Sequence, residues 1–154
     1  MKKIIFAAVI LLSSIAAFSQ KRIATTKTKE ELLNEKYCSG LFSTNEGTYF
    51  DFENDNVTLS ARGYLNVLDW LQGRVAGLQV YKTRSNEFVP FIRNSLAGIY
   101  VDEIQVSASY LNSLPVTDIA MIKIIKGPFA GGFNSPGGVI AIYTVQGDDE
   151  GEEE

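Results

Sequence analysis

The sequence predicts an α+β fold in which a small mixed sheet carries one or two helices packed on it. Residues 119–125 are almost continuously apolar, and residues 138–144 repeat that character. Apolar strands of this length lie inside a sheet that is covered on both faces. Between residues 64 and 75 the apolar side chains recur at steps of three and four, which predicts a helix with one buried stripe. That stripe consists of Tyr64, Leu68, Leu71 and Val75.

The first nineteen residues predict a secretory signal peptide. Lys2 and Lys3 precede an apolar stretch over residues 4–12, and small residues follow it. Ala17 and Ser19 suit the positions before a cleavage site, so we expect the mature chain to begin at Gln20. A retained membrane anchor is the alternative, but the apolar stretch is shorter than the ~20 residues that a spanning helix needs. We therefore expect an exported chain of about 135 residues that does not span a membrane.

The acidic charge of the chain is concentrated at its end. The chain has 14 basic and 18 acidic residues, and six of the acids lie within residues 148–154. The remaining mature residues are balanced in charge, which argues against a nucleic-acid-binding surface. Like charges repel and nothing there can be buried, so we predict that residues 146–154 form a disordered acidic tail.

Residues 20–63 are predicted to be a linker, a short helix and strands of unassigned role. Residues 20–28 are polar and have no periodicity. Thr28 and Glu31 form a capping box that begins a helix through Lys36, with Leu32 and Leu33 as its apolar contacts. Extended pieces are predicted at 49–52, where Phe50 and Phe52 share a face, and at 57–59.

Residues 64–145 are predicted to be the main domain. After the helix, which we expect Gly77 to end, short strands alternate with turns. The predicted strands cover 78–81, 89–93, 99–106 with an interruption at Asp102 and Glu103, 119–125 and 138–144, and helical turns are predicted at 109–112 and 115–118.

The residue composition argues against an enzyme. The chain contains no histidine, which excludes serine–histidine and cysteine–histidine catalysis and histidine metal sites. The one cysteine, Cys38, cannot form an intramolecular disulfide and is predicted to be a small buried residue. We predict no catalytic residues, no metal and no cofactor.

Two local patterns could suggest ligand sites, and we interpret both as structural. The glycine-rich stretch 131–138 runs into a strand, whereas a phosphate-binding loop runs into a helix. Asp51, Glu53 and Asp55 alternate like a calcium loop, but Asn56 and Arg62 replace its required glycine and glutamate. We therefore predict turn-forming glycines and a solvated strand edge.

Four separated segments resemble the plug domain of TonB-dependent outer-membrane transporters, most closely the SusC-like transporters of Bacteroidetes. Residues 68–80 resemble the start of such plugs, and residues 91–95 match an isoleucine-arginine-glycine segment in which Asn94 replaces the glycine. Residues 99–106 look like the family's tyrosine-valine-aspartate-glycine strand and turn. Residues 118–140 resemble its run from aspartate-isoleucine through lysine-glycine-proline to glycine-glycine-valine-isoleucine. The resemblance implies a compact α+β plug fold.

The resemblance also implies a partner. In the family the plug leads into a barrel of 22 strands, whereas only ten residues follow Thr144 here. At ~9–11 residues per membrane strand, we expect this chain to form no barrel of its own. The leading hypothesis is therefore a stand-alone periplasmic module, associated with the outer membrane, that occludes or gates a β-barrel made by another chain. That barrel would be a SusC-like transporter or the pore of a protein-secretion translocon.

Two other hypotheses remain open at this stage: a soluble periplasmic protein that binds a small ligand or peptide, and a truncated transporter remnant without function. For the barrel hypothesis, the candidate partner-binding residues are arginines that could bind a carboxylate, the residues of two turns, and two loop phenylalanines that are either exposed anchors or, as we slightly favour, part of the core. They are Arg74, Arg93, Asn94, Asp102, Glu103, Phe129 and Phe133. For Asp102 and Glu103 we favour the simpler interpretation that they form a turn.

Overall fold

The computed structural model describes residues 27–56, 58–127 and 135–145. The predicted signal peptide, most of the predicted linker, Val57, the loop with Phe129 and Phe133, and the acidic tail lie outside these residues. The helices are α1 (Lys29–Tyr37) and α2 (Val67–Leu71). The strands are β1 (Thr48–Asp51), β2 (Leu78–Lys82), β3 (Phe88–Ile92), β4 (Ser95–Val101), β5 (Ile104–Val106), β6 (Ile119–Lys126) and β7 (Gly138–Thr144). Short 3₁₀ helices cover Thr58–Gly63, Ala108–Asn112 and Val116–Asp118.

The strands form one mixed sheet, which confirms the predicted α+β fold. Their spatial order is β1-β6-β7-β4-β3-β2, and β5 pairs with the far end of β4. β4 and β7 run parallel, with Ile99 opposite Ile140, whereas every other described pair is antiparallel. The two most apolar strands, β6 and β7, are therefore central, as their composition predicts.

Alternate residues of the central strands are buried on opposite faces of the sheet. On one face, Ile122 and Ile124 of β6 pack with Ile140 and Ile142 of β7 and with α2. We call this cluster the helix-side core. On the other face, residues such as Met121 and Tyr143 pack against α1 and the loop after it. We call residues 27–46, which cover this second face, the N-terminal layer.

Two predicted elements differ from the structure. The predicted helix over residues 64–75 contains only the five residues of α2. Asn66 caps its start by accepting a hydrogen bond from the Leu68 N–H at 2.9 Å. Gly73, with φ +80°, turns the chain out of the helix, although Leu68, Leu71 and Val75 are buried as predicted.

The second difference concerns residues 58–59, which were predicted to be extended but begin a 3₁₀ helix. The Thr58 hydroxyl donates to the backbone carbonyl oxygens of Asp51 and Asp55, at 2.9 and 2.5 Å. Such local bonds stabilise a turn in place of a strand. In α1 the capping box of Thr28 and Glu31 is confirmed, but Leu32 is 53% exposed and Leu33 alone of the pair is buried.

Candidate functional site

The candidate residues Arg93 and Asn94 form the tight turn between β3 and β4. Both have positive φ, at 50° and 64°, and Ser95 pairs directly with Ile92. Two positive φ values in a two-residue hairpin define a type I′ turn, which favours glycine and tolerates asparagine. Both residues are exposed. The positive φ of Asn94 explains why asparagine is tolerated at a position where the family that this chain resembles has glycine.

The candidate residues Asp102 and Glu103 form a second such turn, between β4 and β5, with φ of 46° and 67°. The Asp102 carboxylate accepts hydrogen bonds from the backbone N–H and the hydroxyl of Thr144, at 2.9 and 2.8 Å. The Glu103 carboxylate accepts one from the Gly40 N–H at 2.9 Å. Both acids therefore hold the fold together at the end of the sheet.

The candidate residue Arg74 packs on two aromatic residues, one in α2 and one just before it. Its guanidinium carbon lies 4.6 Å from the centroid of the Trp70 ring and 5.9 Å from that of Tyr64. Its Nη1 also donates to the Trp70 carbonyl oxygen at 2.6 Å. The residue is nevertheless exposed, and its aromatic contacts hold the guanidinium in one place.

The structure does not gather the candidate residues into one site. Arg93 and Asn94 precede β4, whereas Asp102 and Glu103 follow it. The seven residues of β4 separate the two turns by on the order of 20 Å. Phe129 and Phe133 lie outside the described residues.

The alternating acids at the end of β1 and after it are paired with lysines of α1, and Asp51 is only 3% exposed, so the predicted solvated strand edge is wrong for this residue. Lys29 Nζ lies 3.2 Å from Asp51 and 3.3 Å from Asp55, and Lys36 Nζ lies 2.8 Å from Glu53. Burial alone would raise the pKa of Asp51, but hydrogen bonds from Asn54 and the Lys29 ammonium outweigh it and lower that pKa. Hydrogen bonds from Lys36 and Tyr37 lower the pKa of Glu53. Across the described part of the chain, no group of three or more cysteine and carboxylate side chains is arranged to hold a metal ion.

A buried lysine, which the sequence reasoning did not select, joins the sheet to the N-terminal layer. Lys123 of β6 has no exposed surface. Its ammonium donates to Asn34 Oδ1 at 2.5 Å and to the backbone carbonyl oxygens of Phe42 and Thr44, and it lies 5.0 Å from the Tyr49 ring centroid. Burial lowers the pKa of Lys123. The sequence carried one signal of this contact, because Lys123 is the single charged residue of the apolar stretch 119–125. A charge that is buried in such a strand needs hydrogen-bond partners.

The single cysteine is part of the same layer. Cys38 is 3% exposed, which confirms that it is buried. Burial raises the pKa of the Cys38 thiol, which keeps it protonated and unreactive.

A cleft on the helix side of the sheet was also not predicted. Its volume is about 520 Å³, and it lies between the segment before α2, the β2–β3 hairpin and the 3₁₀ helix near Asn112. Asn66 Nδ2 donates to Asn112 Oδ1 at 2.9 Å, and Asn112 Nδ2 donates to the Asn86 carbonyl oxygen at 3.4 Å. Asp69 and Lys82 line the same cleft. The residues that line this cleft come from separate segments of the chain, so no local sequence motif could predict it.

No described helix combines the length and the apolar character required to cross a membrane.

Comparison with known proteins agrees with this architecture. A family model described as the TonB-dependent receptor plug domain matches residues 55–139. No curated protein matches the chain. A solved structure of the RagAB peptide importer in its closed-closed state matches with a TM-score of 0.50 and 21% sequence identity, over 68% of this chain. The match covers 13% of the importer chain, so it supports the fold and not an activity.

The matched residues begin after the N-terminal layer and β1, and they extend from α2 through the central strand β6 to the start of β7. They therefore include the elements that build the helix-side core. Because the family model covers more than half of the sequence, the chain belongs to the TonB-dependent receptor plug domain family.

Proposed function

We propose that this chain is a non-enzymatic periplasmic module that binds inside an outer-membrane β-barrel made by another chain and occludes or gates it. The observation that carries the proposal is the family match over residues 55–139, because plug domains associate with outer-membrane barrels. A SusC-like transporter or a protein-secretion pore is the class of barrel we propose.

The packing of the domain supports a role as a rigid obstruction. Both faces of the central strands are buried, one by the helix-side core and the other by the N-terminal layer. Close-packed interiors of this kind resist compression, so such a domain blocks a lumen without deforming. The proposed contacts with the barrel are the exposed residues Arg74, Arg93 and Asn94, with Asp102, Glu103, Phe129 and Phe133 as further candidates.

The direct test uses a photo-crosslinking amino acid at exposed tyrosines of the full chain in its native cells. Tyr81 and Tyr110 are 55% and 47% exposed, so the additional ring of a benzoyl-phenylalanine has room in solvent at both positions. The same variants kept in the dark, and the unchanged chain exposed to light, are the controls. We expect light to produce adducts with a barrel protein from the two substituted positions and not from either control.

Two results would overturn the proposal. One is a set of adducts that contains no outer-membrane barrel. The other is a purified partner barrel whose conductance in a planar bilayer is unchanged when the chain is added. A reversal of charge, Arg93→Glu, sharpens the test because we expect it to weaken barrel capture without unfolding the domain, since the side chain is exposed.

A further inference from the structure

Four exposed basic residues surround the cleft on the helix side of the sheet, and we call them the basic rim: Arg62, Arg74, Lys82 and Arg84. Lys82 itself lines the cleft. Arg62 directly precedes a residue that lines it, and Arg84 is two residues after Lys82. The Arg74 guanidinium carbon lies 5.9 Å from the centroid of the Tyr64 ring, which also lines the cleft. The four positive charges therefore lie around one opening.

The basic rim has an excess of unpaired positive charge. None of its four residues forms an ion pair with a described residue, since the ion pairs of the described chain involve Lys27, Lys29 and Lys36. Two acids lie beside the rim, Asp69 in the cleft and Glu87 in the β2–β3 hairpin. Because four bases meet only two acids, the electrostatic field at this opening favours a negatively charged occupant.

A strongly acidic part of the same chain begins close to the basic rim. Residues 148–154 contain six acids, and we call them the acidic segment. The Val145 N–H, just before this segment, donates to the Asp118 carbonyl oxygen at 2.9 Å. Asp118 ends a 3₁₀ helix that contacts the 3₁₀ helix carrying Arg62. The nine residues from 146 to 154 span at most about 30 Å when extended, so the acids can reach the rim.

The other basic residues are poorly placed for the acidic segment. Three lysines already form ion pairs, and Lys123 is fully buried. Lys126 pairs with Gly138 at the start of β7, and Arg93 directly precedes the hairpin end of β4, beside that same start. The acidic segment follows the other end of β7, a strand of seven residues or about 23 Å. Among the described residues, the basic rim is therefore the exposed, unpaired positive surface at the correct end of the sheet.

We propose that the acidic segment docks on the basic rim of its own chain and covers the mouth of the cleft. Its carboxylates would pair with Lys82 and with the three arginines of the rim. Each exposed ion pair is weak alone, but a tethered segment has a high effective concentration, so several weak pairs suffice for a reversible contact. The docked segment shields the cleft from other anions, and salt or a strongly basic partner displaces it.

This inference goes beyond the barrel proposal and does not depend on it, because the rim and the segment belong to one chain. The test uses the full mature chain alone and compares it with a variant whose six acids in residues 148–154 are replaced by their amides. This variant keeps the length of the chain and removes the charge. Amide shifts in NMR spectra are measured for both chains at low and at high salt.

We expect the two chains to differ in the amide shifts of residues 62–66, residues 82–88 and Asn112 at about 0.01 M salt, where the Debye length is ~30 Å. At about 1 M salt, where the Debye length is ~3 Å, these differences should disappear. Differences around the cleft that vanish with salt are the result expected for electrostatic docking.

A pair of substitutions on the rim has a matched pair at the far end of the sheet. Lys82→Gln with Arg84→Gln removes two of the four rim charges, so it should reduce the low-salt shift differences by about half or more. Arg93→Gln with Lys126→Gln, which also removes one lysine and one arginine, should leave them unchanged. None of the four side chains is buried, so these variants should keep the fold, and their thermal unfolding checks that they do.

Three results would contradict the docking. The low-salt shift differences could be confined to residues 140–154, which means that the segment touches no rim residue. The far-end pair could reduce them as much as the rim pair, which means that the attraction is not specific to the rim. They could grow with protein concentration, which means that the segment binds a neighbouring chain. None of these results bears on capture by a barrel, which the photo-crosslinking experiment measures separately.

Discussion

The two faces of the sheet are buried by different means. The helix-side core contains buried apolar side chains and lies mostly within the residues that the plug family model matches. The second face is covered by residues 27–46, which precede that match. A buried lysine ammonium lies between the sheet and these residues. Apolar packing needs only complementary shape, whereas the second face also depends on particular oxygen atoms. We infer that the two faces respond differently to substitution, pH and chemical probes.

The largest expected effect is on the helix-side core. Trp70 is fully buried, and the Phe50 and Phe52 rings meet it edge-on at 5.4 and 5.3 Å. Trp70→Ala should lower the free energy of unfolding by about 3–5 kcal/mol, as large-to-small core substitutions do. Urea unfolding monitored by circular dichroism measures it. Trp70→Phe keeps a ring and loses mainly the indole bond to Ser60 Oγ, so an equal loss for both would contradict this account.

The next effect tests the polar attachment of the second face. Lys123→Met keeps the length of the side chain but removes the ammonium that donates to Asn34 Oδ1 and to the Phe42 and Thr44 carbonyl oxygens. The Tyr49 hydroxyl still donates to Asn34 Oδ1 or to the Thr44 carbonyl oxygen, at 3.4 and 3.2 Å. We expect a loss of about 1–3 kcal/mol, because the loss of three buried hydrogen bonds costs more than the chain regains by no longer burying a charge. We also expect the buried Cys38 thiol to react faster with a disulfide reagent.

Lys126→Met, at the end of the same strand, is the matched control and should change stability by no more than about 0.5 kcal/mol. If Lys123→Met instead stabilised the domain, desolvation of the ammonium would outweigh its three hydrogen bonds. The second face would then depend on apolar packing, as the helix-side core does.

A smaller effect is expected on how the free energy of unfolding changes at acidic pH. The pKa values of Asp51 and Glu53 are lowered in the folded chain, so their stabilisation is complete above their ordinary pKa values near 4. It is lost as the pH falls through the lowered values. Urea unfolding between pH 7 and pH 2.5 should show this decline, and Asp51→Asn should flatten it.

The smallest effect is expected at the β4–β5 turn. Glu103 has φ of 67°, which is strained for a residue with a side chain, but its carboxylate binds the Gly40 N–H. Glu103→Gly relieves the strain and loses the bond, so we expect a net change within about 1 kcal/mol. Glu103→Ala keeps the strain and loses the bond, so it should be about 1 kcal/mol less stable than Glu103→Gly. Equal stability of the two variants would show that the turn is unstrained.

Much of the fold could be predicted because it follows from local patterns. The apolar runs of β6 and β7 and the capping box at Thr28 are confirmed, since each depends on neighbouring residues. The α2 prediction was too long because apolar periodicity locates a stripe and not the ends of a helix. Those ends are set here by Asn66 and Gly73.

The candidate sites were harder to predict for a physical reason. Turn residues such as Asn94 and Asp102 could be located, but the partners of their side chains could not. Asp102 contacts Thr144, and Glu103 contacts Gly40, both distant in the sequence. The cleft with Asp69 and Lys82 depends on segments that only chain folding brings together.

The sequence by itself was enough to predict the central strands, the resemblance to plug domains, and a turn at Gly137 and Gly138, where β7 begins. The structure supplies the reason for that pair: a Cβ at Gly137 would lie 2.3 Å from the Ser95 carbonyl oxygen, and Gly138 has φ of +118°. Tertiary structure alone decided that Lys123 is buried under residues 27–46 and that Arg93 and Asp102 lie at opposite ends of β4. Periodicity depends on neighbours in the chain, whereas burial of a charge and the composition of a cleft depend on contacts between distant segments.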